Sequence, residues 1–308
     1  MNIHLITNCT SRKRHSSNDK KYCFSDFINK NRIEEDWINT MQSQNRKTKA
    51  INKYMGEHWS IVKELSKTCS QVSIVSAGYG LISSETLIHS YDATFSANKV
   101  NSVGQIYNTS CLYSNNLRWW RKISQPHNSC SSTLENLYLN KNQFFIISLS
   151  PVYLKVLEPE ILELKKKNII NNNNTRIISS NVKIDNSIKS IYLKSSEDFC
   201  KILGGSRISL NIRLAKSLLQ NIDSNYDLTN QIDENFKNII NLSIPAEKYK
   251  RKKLQDDELK ELICNEISEL NGKKVTSSGV LRRLRDKGYA CEQKRFSTHF
   301  KNVNFNRR

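Results

Sequence analysis

The apolar residues of this chain fall into short β-branched and aromatic runs separated by longer segments with helical spacing. Ile3 to Thr7 (IHLIT) predicts a strand, Val72 to Val75 a second and Phe144 to Leu149 (FFIISL) a third. Arg176 to Ser180 (RIISS) and Ile188 to Leu193 predict two more. Lys47 to Lys67 carries Ile51, Tyr54, Met55, Trp59, Val62 and Leu65 at the spacing of one helical face. Val152 to Lys167 reads as a second helix, with Ser150 and Pro151 forming its start. A third, Ile208 to Gln220, is opened by the turn Leu203-Gly204-Gly205-Ser206-Arg207. Lys20 to Asn45 is irregular and charged, and Asn221 to Asn241 is polar and turn-rich. Strand, helix and strand in alternation predict a mostly parallel α/β sheet with the first strand central.

A basic run near residues 247–253 marks a domain boundary, giving an α/β domain over 1–244 and a small all-α module over 245–308. The module reads as helices Asp256 to Leu270, Ser278 to Lys287 and Cys291 to Phe300, with a turn at Asn271-Gly272 and Gly288 as a C-cap. Three short helices with a glycine before the last resemble a helix-turn-helix. Arg282, Arg283, Arg285, Lys294, Arg295, His299 and Lys301 decorate it, which predicts a nucleic-acid contact. The competing reading is a helical hairpin that only packs on the main domain.

Charge strengthens the first reading. Lys and Arg number 48 against 29 Asp and Glu, a net charge of +19 over 308 residues. Such an excess repels itself unless a polyanion is the partner, and nucleic acid is the first candidate. No run of 18 apolar residues suggests a membrane span, and no signal peptide precedes the first strand. The eight cysteines form no C-x-x-C pair, and no histidine spacing completes a zinc pattern. Free thiols in a reducing cytoplasm, no metal, no cofactor and a monomer are the expectations.

The candidate chemistry centres on Val72 to Ser96. A strand ends in Ser76-Ala77-Gly78-Tyr79-Gly80, where backbone can approach a ligand, and Tyr91-Asp92 follows. Open α/β sheets build sites at such carboxyl edges. The first strand also ends in a donor-rich loop, Asn8-Cys9-Thr10-Ser11-Arg12-Lys13, suited to a phosphate or a base edge. Ser150 and the Gly205-Ser206-Arg207 turn offer helix N-termini to a phosphate. Trp119 and Trp120, adjacent and flanked by Arg118 and Arg121, cannot share one helical face. One of them is expected near the surface as a stacking or wedging group, unless both are buried beside the pocket.

A strand ending in C-x-x-x-K (Cys9, Lys13), then Ser76 to Ile82 (S-A-G-Y-G-L-I), then Tyr91-Asp92, resembles a bacterial domain family of unknown function. That family is similar to the middle domain of archaeosine synthase, and both have a uracil-DNA-glycosylase-like architecture. The ending Ser278 to Phe296 also resembles the short helical module seen with that family. Where archaeosine synthase continues with Pro-Tyr, this chain has Arg14-His15, and the G-Q-D-P-Y and H-P-S motifs of uracil glycosylases are absent.

The resemblance implies a three-layer α/β fold and a DNA glycosylase that flips a modified base and cuts its glycosidic bond. The expected substrate is a foreign base, such as phage hypermodified DNA carries. Tyr79 or Tyr91 would stack the base, with Cys9, Ser76 and Gly78 lining its pocket. Asp92 would stabilise the sugar cation and Asn8 would bond the leaving base. Lys13, Arg12, Ser150, Gly205, Ser206, Arg207, Trp119, Trp120, Lys294 and Arg295 would contact nucleic acid. Two other readings stay open: a deazaguanine-type transferase with Lys13 or Cys9 as nucleophile, and a DNA-binding regulator without catalysis. The sequence does not separate DNA from RNA.

Overall fold

The computed structural model describes residues 2–15, 20–28, 32–43, 48–107, 111–125, 131–139, 142–180, 182–223, 226–246, 251–270 and 275–305. Cys130, the Asn271-Gly272 turn and residues 247–250 of the basic run lie outside them. The chain divides into two compact units, Met1–Pro245 and Ala246–Arg308.

In the larger unit six strands form one sheet: β1 (Ile3–Asn8), β2 (Gln71–Ser76), β3 (Gly80–Ser83), β4 (Phe144–Ser148), β5 (Thr175–Ser180) and β6 (Tyr192–Ser195). Their order is β6-β5-β4-β1-β2-β3, parallel throughout except that β3 returns antiparallel to β2. All of β1 and β4 is buried, with no alternation, as strands covered on both faces require. From β1 the chain builds outward on one side through β2 and β3, then crosses to β4 and builds outward on the other. The strand order therefore reverses between β1 and β4, where open sheets leave a crevice at the carboxyl edge.

The longer helices of this unit are α1 (Ile33–Gln42), α2 (Glu57–Leu65), α3 (Leu112–Ile123), α4 (Pro151–Lys166), α5 (Leu210–Leu218) and α6 (Leu228–Leu242). Helix α5 packs on α2 and on β4, β5 and β6, while α3 packs on α1 and α4. No helix among the described residues is long and apolar enough to cross a membrane.

Several local expectations change. The helix expected over Lys47 to Lys67 is broken: Thr48–Lys49 is a short strand, Ala50–Lys53 a single turn, and α2 begins only after Gly56. Gly56 sits at φ +96°, which a residue with Cβ adopts only under strain. The strand expected from Ile188 is a 3-10 turn to Ile191, and pairing starts at Tyr192. The polar stretch read as turn-rich contains α6, capped by the Asp227 side chain accepting the Thr229 N–H. Its Ile232 and Ile239 are buried, and its Asp233 makes a bidentate pair with buried Arg176 of β5. Within the irregular region before residue 45 lie α1 and a short strand, Lys21–Cys23, that pairs with Ser90–Asp92.

The smaller unit is helical. Helices α7 (Asp256–Glu269), α8 (Ser277–Asp286) and α9 (Gln293–Phe305) bury Leu259, Ile263, Leu284 and Phe296 in a core of their own. A two-residue parallel pairing, Lys252–Lys253 with Tyr289–Ala290, brackets α7 and α8, and Gly288 follows α8 at φ +87°.

Candidate functional site

At the β1/β4 crevice the strand ends are braced together. The Asn8 Oδ1 accepts the Ser150 N–H at 2.9 Å, and its Nδ2 donates to the Cys9 carbonyl at 3.0 Å. Both ends of the amide therefore bond backbone groups. This corrects one expectation, since the Ser150 N–H is not free for a phosphate, and it leaves Asn8 a single amide N–H for any other partner. The brace holds the start of α4 against the end of β1.

The second wall comes from the end of β2. Ser76 Oγ accepts the N–H groups of Gly78 and Tyr79, each at 3.2 Å, and lies 2.7 Å from the Tyr91 hydroxyl. Tyr91 is in turn 2.8 Å from the Tyr54 hydroxyl. A Cβ on Gly78 would stand 2.5 Å from the Tyr91 ring, so only glycine lets the ring approach this turn. The Trp37 and Trp119 indoles donate to the Gly78 and Ala77 carbonyls at 2.9 and 2.7 Å, which pins the turn from outside. Tyr79 is buried, its hydroxyl accepting the His89 N–H at 2.7 Å.

Lys13 closes this cluster. Its loop is tied down by the Arg14 N–H to the Lys53 carbonyl at 2.7 Å and the Met55 N–H to the Arg12 carbonyl at 3.0 Å. The side chain turns inward, leaving the residue 7% exposed. Its Nζ stands 4.2 Å from the Tyr91 ring centre and 5.7 Å from that of Tyr54, with no hydrogen-bond partner among the described residues. Burial pushes this ammonium below the usual lysine range, partly offset by Cys9 and the Asp92 carboxylate. Because Lys13 covers the Tyr91 ring, Tyr91 is not an open stacking platform. Cys9 Sγ lies 3.2 Å from the Tyr153 hydroxyl, and Tyr153 meets Phe95 edge-on with ring centres 5.1 Å apart.

Asp92 follows the buried Tyr91 on the short strand Ser90–Asp92, so the alternation of side chains turns it outward. Its side chain is 30% exposed and pairs with Lys21 Nζ at 3.3 Å. Arg12 and Arg14 are exposed on the loop that carries Lys13. The structure thus brings together Cys9, Lys13, Ser76, Gly78, Tyr79, Tyr91 and Asp92 from the sequence reading. It adds Tyr54 and Tyr153, whose positions within helical patterns carried no signal of a site.

Other expectations are corrected. Trp119 and Trp120 are both fully buried, and neither offers a surface wedge. Adjacent helical residues point about 100° apart, and α3 has neighbours on both sides. Trp119 faces Phe24 and the Ala77 carbonyl, while Trp120 donates to Glu160 of α4 at 2.5 Å. The Gly205 turn is also occupied from within. Ser206 donates both its N–H, at 3.2 Å, and its hydroxyl, at 2.5 Å, to Glu57. Glu57 also pairs with Arg213, and Arg207 pairs with Glu197 at 2.7 Å. A carboxylate of the protein therefore stands where a phosphate was expected. In the helical unit Lys294 is exposed, while Arg295 pairs with Asp256. Among the described residues no group of His, Cys, Asp and Glu is arranged to hold a metal ion.

Comparison with protein-family models, curated proteins and solved structures finds no match to this chain.

Proposed function

We propose that this protein is a DNA glycosylase of uracil-DNA-glycosylase-like fold that flips a modified base and excises it, leaving an abasic site. The observation that carries this reading is the buried amine of Lys13, without a hydrogen-bond partner among the described residues, set against the Tyr91 and Tyr54 rings and within electrostatic reach of Cys9 and Asp92. Cleavage of a glycosidic bond develops positive charge on the sugar and negative charge on the departing base. A buried ammonium and a partly exposed carboxylate that acts on its charge match that separation. Asp92 stabilises the sugar cation, and Lys13 delivers its proton to the departing base. The closed cluster opens when the base is inserted, since the Lys13 amine is shielded from solvent. The basic helical unit supplies phosphate contacts through exposed groups such as Arg282, Lys294 and Lys301. A foreign or hypermodified base, as in phage DNA, is the proposed substrate, which makes antiviral defence the proposed role and the cytoplasm its setting.

The second reading is a base-modifying transferase with Lys13 as nucleophile, favoured by the same lowered affinity of that amine for its proton. The test incubates the protein with DNA and RNA carrying different modified bases and measures free base and alkali-labile sites. Free base with matching abasic sites supports the glycosylase. A modified but intact strand supports the transferase, and binding with neither product leaves a regulator.

A further inference from the structure

We infer that Lys13 gives this protein a second activity: after base loss it condenses with the sugar as a Schiff base and cleaves the strand at the abasic site. The inference rests on the reading of the site as one that handles a flipped nucleotide. Three observations carry it. The Lys13 Nζ is the terminus of a side chain buried at the carboxyl edge, yet it has no hydrogen-bond acceptor among the described residues. The surroundings that hold it are aromatic faces, 4.2 and 5.7 Å away, which tolerate a cation without binding its lone pair once the proton leaves. The carboxylate of Asp92 is close enough to act on the amine's charge, and it is turned toward the outside of the cluster. A structural lysine in this position would be expected to reach a carbonyl or carboxylate, as Lys155 does with Glu158 and Lys21 with Asp92.

The chemistry follows from the excision step. The C1′–N bond breaks with its electron pair going to the base, and the Lys13 ammonium gives the base a proton. This leaves a neutral amine beside the sugar cation, and burial favours that neutral form. The amine lone pair then bonds to C1′. One of its protons passes to O4′ as the C1′–O4′ bond breaks, which yields a protonated imine and a free 4′-hydroxyl. Asp92 takes a proton from C2′, now acidified by the imine, and the C3′–O bond breaks with its electrons leaving on the phosphate. Water hydrolyses the C=N bond, restoring the amine and releasing an unsaturated aldehyde. No oxidant or cofactor enters the balance.

The test uses the full-length protein and a duplex oligonucleotide with one abasic site made beforehand, so no base excision is needed. With borohydride present, a covalent protein–DNA adduct is expected, and peptide mapping should place it on Lys13. Without borohydride, the strand should be nicked. Lys13→Met and Lys13→Arg should both lose the adduct, and Lys13→Met keeps the buried stem so that a folded control is available. Asp92→Asn should still be trapped but should nick about 10²-fold more slowly, the scale of one positioned acid–base group. No adduct above the Lys13→Met background, or an adduct mapped to another lysine, overturns the inference. Either result leaves base excision untouched, because release of free base from modified DNA is scored in a separate assay.

Discussion

The Nζ of Lys13 stands 4.2 Å above the centre of the Tyr91 ring without a hydrogen-bond acceptor among the described residues. The ring quadrupole offsets only part of the desolvation of this charge. Folding lowers the Lys13 pKa from its usual value of 10.5, so below the folded value both states are protonated and the native state carries the whole penalty. Between the folded value and 10.5 the unfolded chain binds more protons, so this penalty is relieved as pH rises; above 10.5 it is gone.

Lys13→Met should therefore be more stable near neutral pH by about 1–3 kcal/mol, the scale of one unsatisfied buried polar group, while base release is abolished. Urea melts of both proteins across pH check this. A gain that persists undiminished into strongly alkaline solution, or a loss at neutral pH, would show that the amine is not buried uncompensated.

Gly78→Ala places a methyl group 2.5 Å from the Tyr91 ring. The ring must move, and the chain of hydroxyls from Ser76 through Tyr91 to Tyr54 must break or lengthen. A stability loss of about 1–3 kcal/mol is expected from this overpacking, together with loss of base release. Unchanged melting would mean that the turn has room which the structure does not contain.

Asp92→Asn keeps the shape of the side chain and removes its charge. Single-turnover base release should slow by about 10²-fold, while affinity for duplex holds or rises slightly. Lys21, its partner at 3.3 Å, is also partly exposed, so stability should change little. A fully active Asp92→Asn protein would remove this residue from the mechanism.

His58 of α2 is buried against Thr7, 2.9 Å from its hydroxyl, and burial lowers its pKa from 6.5 to about 4. The unfolded state binds the extra proton between those values, so stability should fall as pH drops from 6.5 to about 4. The drop attributable to this group is about 3 kcal/mol, from the scale of one pKa unit. His58→Gln should flatten that part of the stability–pH curve. An unaltered slope in the variant would assign the acid sensitivity elsewhere.

Truncation after Pro245 removes a unit with its own hydrophobic core and leaves the sheet and the Lys13 cluster intact. The shortened protein should melt cooperatively and bind duplex far more weakly, with a shallower salt dependence. Equal affinity and an equal salt slope would show that the helical unit does not contact nucleic acid.

The sequence by itself determined the parallel α/β sheet and the three C-terminal helices. A run such as Phe144 to Ile147 is apolar at every position, and only a strand covered on both faces can use it. It also marked Ser76, Gly78 and Tyr91, because a glycine turn after a buried strand is a local feature. What it could not determine was which polar groups are already satisfied. Asn8 and Ser150 are 142 residues apart and neutralise each other only because β1 and β4 are neighbours. Glu57 fills the Ser206 turn across 149 residues for the same kind of reason. The two tryptophans are buried because α3 has neighbours on two sides, which no helical periodicity reveals. The same dependence isolates Lys13: its sequence context is a basic loop, and only the packing of Tyr54 and Tyr91 around that loop turns a surface-type residue into a buried amine with no hydrogen-bond partner among the described residues.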